Sequence, residues 1–393
     1  GIVNATPLAV GGTCPGVTTT AAAGGGTFNV TAGTVAAGAS CTITVGVVGN
    51  TAGAWNNTAS GVASTQSGTA GAASNTATLT VSNSPTITKA FGTATISQGG
   101  TSVITFTLAN PNATPLTNLR FTDALTNMTV SSATLGGTCA GTTSTPALVV
   151  GATSLDLTVP TLAGSASCTI QVTVTSAISG TWSNTTSGVS TTQTPAAGTP
   201  SNTVSLTVLS PPQLAKNFVN GSIQAGGTAS IVFTLVNPNA SNALTNVQFS
   251  DTLVNMSLAA GTAASDTCAG SNVTASGVSS GSTSFSLTLP TLNAGETCTI
   301  TVTNVTSSIA SPAGGHPNTT STVTSTQTAV NPGAAATGRL VVYVPPTITK
   351  AFAPATVAIG TTSVITFTIT NPNTAALTDI RFTDDLPTNV SNG

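Results

Sequence analysis

Charged residues are nearly missing from this sequence of 393 residues. Six basic and eight acidic residues make up 4% of the chain, against about 25% in an ordinary globular protein. A basic surface that could hold a phosphate backbone cannot be built from so few cations, and we expect no nucleic-acid partner. Disorder is also disfavoured, because it requires high net charge and low hydrophobicity, whereas the net charge here is −2.

Histidine and long apolar runs are scarce as well. The chain has one histidine and no Cys-x-x-Cys pair, so neither a zinc site nor a catalytic triad can be assembled. We therefore expect no enzyme, no cofactor and no metal ion. No apolar run reaches the roughly 18 residues of a membrane-spanning helix, which predicts no membrane span in this segment.

Repetition is what the sequence has in abundance. Lys89, Lys216 and Lys350 stand in similar phrases that lie 127 and 134 residues apart. The residues before the first phrase and after the last together make a third interval of similar length. We predict a leading segment (residues 1–84), two complete repeats named repeat I (85–211) and repeat II (212–345), and a trailing segment (346–393). Such periodicity is typical of a tandem array or a fibre.

Alternation of apolar and polar residues predicts strands rather than helices. In residues 103–108 and 168–174 every second residue is apolar, which places these side chains on one face. Turn-forming motifs such as Gly-Gly and Asn-Pro-Asn separate these runs. The predicted fold is all-β, with tandem immunoglobulin-like antiparallel β-sandwich domains and a split repeat at the two ends. Proline at the repeat boundaries predicts stiff links and hence a rod.

Each repeat position carries two cysteines with nearly constant spacing: Cys14 and Cys41, Cys139 and Cys168, Cys268 and Cys298. One spaced pair per domain is typical of a disulfide rather than of free thiols. Closing a loop of this length should stabilise a repeat by about 3–4 kcal/mol. The predicted disulfides imply an oxidising, extracytoplasmic setting.

The few charges fall at repeated positions: Lys89, Lys216 and Lys350, and Asp123, Asp251 and Asp384. Alternation predicts that both groups point inward, where neither is stable without a partner. One interpretation is a buried ion pair. The other is an isopeptide bond of the kind known from Gram-positive pilin and adhesin domains, in which a lysine of lowered pKa attacks an asparagine beside a protonated aspartate. The candidate asparagines are Asn57, Asn184 and Asn318, and a second set, Asn75 and Asn202, has glycine as its third copy.

Lys-x-Phe, Asn-Pro-Asn, Phe-Thr-Asp-x-Leu and a late Asn-Thr strand resemble the bacterial surface-repeat family called domain of unknown function eleven. In the trailing segment the matching residues are Lys350, Phe352, Asn371–Asn373 and Phe382–Pro387. The resemblance covers the whole chain. It implies secreted or wall-attached bacterial proteins whose immunoglobulin-like repeats form stalks and surface layers, and it supplies no activity.

We therefore expect a structural repeat protein of a bacterial extracellular filament, sheath or surface stalk. Its expected partners are other copies of itself, either as an end-to-end homopolymer in which neighbours complete the split repeat, or as a longer tandem array. The alternative is an adhesin stalk that presents a binding domain outside this segment. Asn-x-Ser/Thr sequences, for example at Asn29, Asn127, Asn184 and Asn255, leave attached glycans open, although chance produces most of them.

Overall fold

The computed structural model describes residues 1–31, 33–387 and 390. Within these residues the chain forms β-strands and turns and contains no helix. The predicted all-β class is therefore confirmed. No helix capable of crossing a membrane occurs in this part of the chain.

The two complete repeats contain the same number of strands, as expected from their shared sequence pattern. The leading segment contains β1 (Ile2–Asn4), β2 (Val10–Gly12), β3 (Thr18–Thr19), β4 (Val30–Thr31), β5 (Ile43–Val45), β6 (Val47–Gly49), β7 (Gly53–Asn57) and β8 (Ala77–Val81). Repeat I contains β9 (Thr86–Phe91), β10 (Thr95–Ser97), β11 (Thr101–Ala109), β12 (Leu116–Ala124), β13 (Thr129–Val130), β14 (Gly136–Gly137), β15 (Thr143–Ser144), β16 (Ser154–Leu162), β17 (Ser167–Thr175), β18 (Gly180–Asn184) and β19 (Val204–Leu209). Repeat II contains β20 (Gln213–Val219), β21 (Ser222–Gln224), β22 (Thr228–Val236), β23 (Leu244–Thr252), β24 (Ser257–Leu258), β25 (Ala264–Asp266), β26 (Thr274–Ser276), β27 (Ser284–Leu292), β28 (Thr297–Thr306), β29 (His316–Thr319) and β30 (Thr337–Tyr343). The trailing segment contains β31 (Thr347–Ala353) and β32 (Val364–Thr370).

The chain divides into two compact units. The first consists of residues 1–92, 103–174 and 183–205, and the second of the remaining ranges 93–102, 175–182 and 206–393. Repeat II lies wholly within the second unit. Most of repeat I lies in the first.

Repeat II is an antiparallel β-sandwich. One sheet has the order β20-β22-β28-β24, with β25 also paired to β28, and the other strands form the sheets β23-β27-β26 and β21-β30-β29. Only the pairing of β21 with β30 is parallel among these strands. Every second residue of β22 is buried. Its Phe233 packs against Phe249 of β23, with ring centroids 4.9 Å apart, so the two sheets share one core.

The part of repeat I in the first unit has the same arrangement. Strands β9, β11, β17 and β13 form one sheet, with β14 beside β17, and β12, β16 and β15 form another. Phe106 of β11 and Phe121 of β12 meet with ring centroids 5.2 Å apart. The inward faces predicted for residues 103–108 and 168–174 are buried, because their apolar side chains fill the space between the sheets.

The leading and trailing segments bury far less. The leading segment forms the two-stranded pairs β1–β6, β2–β5, β3–β4 and β7–β8, and the trailing segment forms β31–β32. Val48, Leu79, Phe352 and Ile369 are each at least 40% exposed. These strands thus present apolar side chains that the complete repeats would place in a core.

We predict that Phe233→Ala lowers the free energy of unfolding of repeat II by about 3–5 kcal/mol, because a fully buried ring leaves a cavity. Urea unfolding of the full chain checks this. Thr234→Ala, on the outward face of the same strand, is the matched control and should change the free energy by less than about 1 kcal/mol. Equal effects of the two substitutions would contradict the assigned faces.

Candidate functional site

Strand alternation places a lysine inside the sandwich of repeat II. Lys216 stands in β20 directly opposite Phe233 of β22, and every second residue from Lys216 to Phe218 faces the core. Asp251 lies at the buried end of β23, and Asn318 lies in β29. The same pattern that buries the phenylalanines therefore also buries the charged side chains.

Lys216, Asp251 and Asn318 form a closed polar group, which we call the Lys–Asp–Asn cluster. The Lys216 Nζ lies 2.5 Å from Asp251 Oδ2, and the side chains of this pair have no exposed surface. Nζ also contacts Asn318 Oδ1. The Asn318 Nδ2 donates to Asp251 Oδ1 at 2.8 Å and to the carbonyl oxygen of Thr252 at 2.7 Å. One carboxylate thus bridges the amine and the amide nitrogen.

Repeat I contains the same cluster, built from Lys89, Asp123 and Asn184. Lys89 Nζ lies 2.5 Å from Asp123 Oδ2, again with no exposed side-chain surface. Asn184 Nδ2 donates to Asp123 Oδ1 at 2.8 Å and to the carbonyl oxygen of Ala124 at 2.7 Å. Among the described residues, Asn184 Oδ1 has no hydrogen-bond partner, although it is buried. The structure therefore brings together both predicted sets of three residues.

Burial shifts the pKa values of Lys89, Lys216 and Asp123 in the direction that favours their neutral forms. Desolvation lowers the pKa of Lys89 and of Lys216, against the opposing attraction of the partner carboxylates. Desolvation likewise raises the pKa of Asp123, although Lys89 and Asn184 favour its charged form. The Phe106 ring centroid lies 5.2 Å from Lys89 Nζ and contributes to the apolar surroundings. The free energy needed to form a neutral amine beside a neutral carboxylic acid is therefore smaller here than in water.

The remaining predicted members are not assembled in the same way. In the trailing segment, Lys350 Nζ lies 2.7 Å from Asp384 Oδ1, but these side chains are 41% and 25% exposed. Asn57 lies exposed in β7 of the leading segment. Within the described residues its side chain joins neither a lysine nor an aspartate. Among the described residues, only those of repeats I and II therefore form the complete cluster.

Asn202, from the second candidate set, contacts the backbone of Lys89 rather than its amine. Its Oδ1 accepts from the Lys89 N–H at 2.9 Å, and its Nδ2 donates to the Lys89 carbonyl oxygen at 3.0 Å. Gly338 occupies this place in repeat II, where an added Cβ would lie 3.5 Å from Lys216 Cγ. Asn202 thus positions β9 and does not belong to the cluster.

The structure joins the cysteines in three disulfides. The pairs are Cys14–Cys41, Cys139–Cys168 and Cys268–Cys298, with Cα atoms 4.9, 5.0 and 4.9 Å apart. Glu296 lies close to the third pair, but its carboxylate accepts the backbone N–H groups of Ala269 and Asn293. The two sulfurs of this third pair are bonded to each other, so neither is a thiolate that could bind a metal ion.

The Asn-Pro-Asn motif has a role that sequence reasoning missed, since we interpreted it only as a turn. Asn239 Oδ1 accepts from the Ser210 N–H at 2.8 Å, and its Nδ2 donates to the Ser210 carbonyl oxygen at 2.9 Å. We call this pair of bonds the linker clamp, because Ser210 precedes repeat II. The same two bonds join Asn112 to Asn83 and Asn373 to Val344. In all three pairs the asparagine lies 29 residues after the residue that it contacts, and this constant spacing is the sequence signal that could have revealed the contact.

The side chain of the first asparagine in the Asn-Pro-Asn motif holds the second asparagine in place. Asn237 Oδ1 accepts from the backbone and side-chain nitrogens of Asn239, at 3.0 and 2.9 Å. Its Nδ2 donates to three carbonyl oxygens, those of Asn242, Leu292 and Asn293. A buried amide with all its hydrogen bonds made is rigid. The linker clamp is therefore preorganised by the repeat that follows it.

The predicted glycan positions differ in whether their asparagine is buried or exposed. Asn184 is 3% exposed and occupied by the cluster, so the folded repeat has no room for a sugar there. Asn29, Asn127 and Asn255 are exposed. Of these four positions, glycans therefore stay a prediction at Asn29, Asn127 and Asn255.

Comparison with known proteins gives one family. Four matches to the family model described as a domain of unknown function, DUF7933, cover residues 1–81, 85–208, 212–342 and 346–393. The name domain of unknown function eleven, expected from the short motifs, is not supported. Those motifs mark turn and cluster positions within a β-sandwich, so they do not distinguish one such family from another. No curated protein matches the chain.

Among solved structures, the chain is similar to the C-terminal domain of the AgI/II polypeptide BspA of Streptococcus agalactiae. That similarity has a TM-score of 0.44 and 12% identity, and it covers 65% of this chain and 99% of that one. A structure named BspA_C_mut follows with a TM-score of 0.42, 11% identity, and coverage of 65% and 98%. These similarities are too distant to bear on the function of this chain.

We predict that Asp251→Ala lowers the free energy of unfolding of repeat II by about 3–5 kcal/mol, because it leaves the buried Lys216 without its counter-charge. Urea unfolding checks the value. Asp384→Ala breaks the half-exposed pair with Lys350 and should cost no more than about 1 kcal/mol. A small effect at both positions would show that the buried cluster contributes no more than a surface pair.

We predict that Asn239→Ala opens the linker clamp and speeds amide hydrogen exchange at Ser210, because this N–H loses its acceptor. Hydrogen exchange followed by mass spectrometry checks this, with limited proteolysis at residues 209–212 as a second measurement. Asn242→Ala is the control, since Asn242 contributes its backbone carbonyl to this region. Unchanged protection at Ser210 in Asn239→Ala would contradict the clamp.

Proposed function

We propose that this chain, which belongs to the family described as a domain of unknown function, DUF7933, is a structural segment of a bacterial extracellular stalk, sheath or filament. The observation that carries the proposal is recurrence. Repeats I and II contain the same Lys–Asp–Asn cluster, the same disulfide and the same linker clamp at equivalent positions. All three devices fix the backbone. Rigidity that recurs in each repeat fits a load-bearing or spacing role.

One cleft of the described residues offers little for catalysis. A shallow cleft of about 410 Å³ is lined by two amides, a glycine and two small apolar side chains: Gln98, Asn331, Gly99, Ala177 and Val330. None of these side chains is an acid, a base or an activated nucleophile. The buried clusters are closed to solvent. We infer that the chain acts without turning over a substrate.

Disulfides support an extracellular location. All six cysteines are paired, and such bonds form and persist in oxidising compartments. The surface carries few charges, and its solubility depends on threonine and serine hydroxyls and on amides. We infer that the chain is exported and is displayed at the cell surface or beyond it.

The composition of the leading and trailing segments supports the proposal that the partners of this chain are other copies of the same repeat. The trailing segment contains the lysine and aspartate of the cluster, as Lys350 and Asp384, whereas the leading segment contains the asparagine, Asn57. Each also exposes strands with apolar side chains, such as Leu79 and Ile369. Two such segments together would supply every group of one complete repeat. We infer association through these segments, either between copies or within a longer array.

We predict that the 393-residue chain, produced in an oxidising compartment, associates in a concentration-dependent manner in sedimentation velocity. Ile369→Asp, at an apolar position of β32, should shift the distribution to monomer, because a charge cannot be buried in the shared core. Val330→Asp is the control at an exposed position outside these segments. A wild-type chain that stays monomeric at every concentration would contradict association between copies and favour the longer array.

The location has its own test. Antibodies raised against the chain should label extracellular structures on intact cells of the producing organism in immunogold electron microscopy. The label should disappear after the cell surface is treated with protease. Label confined to the cell interior would contradict the structural proposal, whatever the outcome of the sedimentation experiment.

A further inference from the structure

The Lys–Asp–Asn cluster places a nucleophile, an electrophile and a proton carrier in contact. In repeat II, Lys216 Nζ contacts both Asp251 Oδ2 and Asn318 Oδ1. The amide carbon of Asn318 is bonded to that oxygen, so the amine is already beside the carbon that it could attack. Holding reacting groups in contact replaces a bimolecular encounter with a unimolecular step.

The amide is fixed from its nitrogen side. Asn318 Nδ2 donates to Asp251 Oδ1 at 2.8 Å and to the Thr252 carbonyl at 2.7 Å. In repeat I, Asn184 Nδ2 makes the equivalent two bonds. In each amide it is thus Nδ2 that is hydrogen-bonded to the carboxylate. The nitrogen that would leave is therefore the atom in contact with the acid.

From this geometry we propose that the chain modifies itself: Lys89 forms an isopeptide bond with Asn184, and Lys216 forms one with Asn318. Nζ attacks the asparagine Cγ, the Nζ–Cγ bond forms, and the Cγ–Nδ2 bond breaks. The aspartate Oδ2 accepts a proton from Nζ, and its Oδ1 delivers a proton to Nδ2. The nitrogen leaves as ammonia, so that each cluster loses one ammonia and gains one amide bond.

The surroundings favour this reaction over a lasting ion pair. The reaction requires an uncharged amine and a protonated carboxyl group, and burial moves the pKa of Lys89 down and the pKa of Asp123 up. Water is excluded, since the lysine and aspartate side chains have no exposed surface. The product amide no longer requires a charged lysine in the core.

The test is the intact mass of the purified, folded 393-residue chain after reduction of its disulfides. The expected mass is the sequence mass less two molecules of ammonia. Peptide mapping should recover the branched peptides that join Lys89 to Asn184 and Lys216 to Asn318. A folded chain with the full sequence mass and no branched peptide would overturn the proposal, and it would leave the structural function untouched.

Variants assign each bond and the role of the carboxylate. Lys89→Met should restore one ammonia and remove only the branched peptide of repeat I. Asp251→Asn keeps the shape of the side chain but cannot carry the proton, and it should restore one ammonia in a chain that circular dichroism shows to be folded. A folded Asp251→Asn chain that still loses both ammonia molecules would overturn the assigned proton carrier.

The chain supplies its own matched controls. Asn202→Gly gives repeat I the glycine that repeat II has at the equivalent position, Gly338. This variant should leave both isopeptide bonds intact, because Asn202 contacts only backbone atoms of Lys89. Lys350, which is half exposed beside Asp384 and contacts no asparagine among the described residues, should be recovered as an unmodified residue within a single chain. Loss of the Lys89–Asn184 peptide in a folded Asn202→Gly chain would contradict the assignment of Asn184.

Discussion

The architecture depends on the burial of one lysine and one aspartate in a chain that is otherwise almost free of charge. Removing an ion from water costs several kcal/mol, on the order of 20 in the idealised limit. Asn318 and the Thr252 carbonyl oxygen complete the hydrogen bonding beside the Lys216–Asp251 pair, and the rings of Phe218 and Phe233 lie against the amine. Three separate strands, β20, β23 and β29, must therefore meet in one register before the cost is offset.

This constraint explains why the two complete repeats agree in detail while their sequences drift. Repeat I has Asn202 beside its lysine backbone, where repeat II has Gly338. Trp182 gives way to His316, which keeps the hydrogen bond to a nearby carbonyl oxygen, at 3.0 Å in both cases. The hydrophobic positions tolerate exchange of size because neighbours can repack. The cluster does not, because an unpaired buried charge has no alternative partner.

Much of this could be predicted from the sequence, since period-two alternation fixes which side chains face inward. The inward positions of Lys89 and Asp123 followed from their alternation with apolar residues, Ile87 and Phe121, on the same strands. The choice between Asn184 and Asn202 did not, because strands far apart in sequence decide which amide reaches the amine. The linker clamp was missed for a related reason: Asn-Pro-Asn is a common turn, and its contact with Ser210 depends on where the preceding chain lies.

One pairing has a mechanical consequence. Strand β21, near the start of repeat II, runs parallel to β30 at its end, with Ser222 opposite Val341 and Gln224 opposite Tyr343. Tension applied at the two ends of the repeat shears these strands past each other, so their hydrogen bonds carry the load simultaneously. An antiparallel hairpin pulled from its open end would instead unzip one bond at a time. Because forced unfolding is governed by the unfolding rate, we expect the repeat to withstand this direction of pull for longer than a pull that unzips its strands.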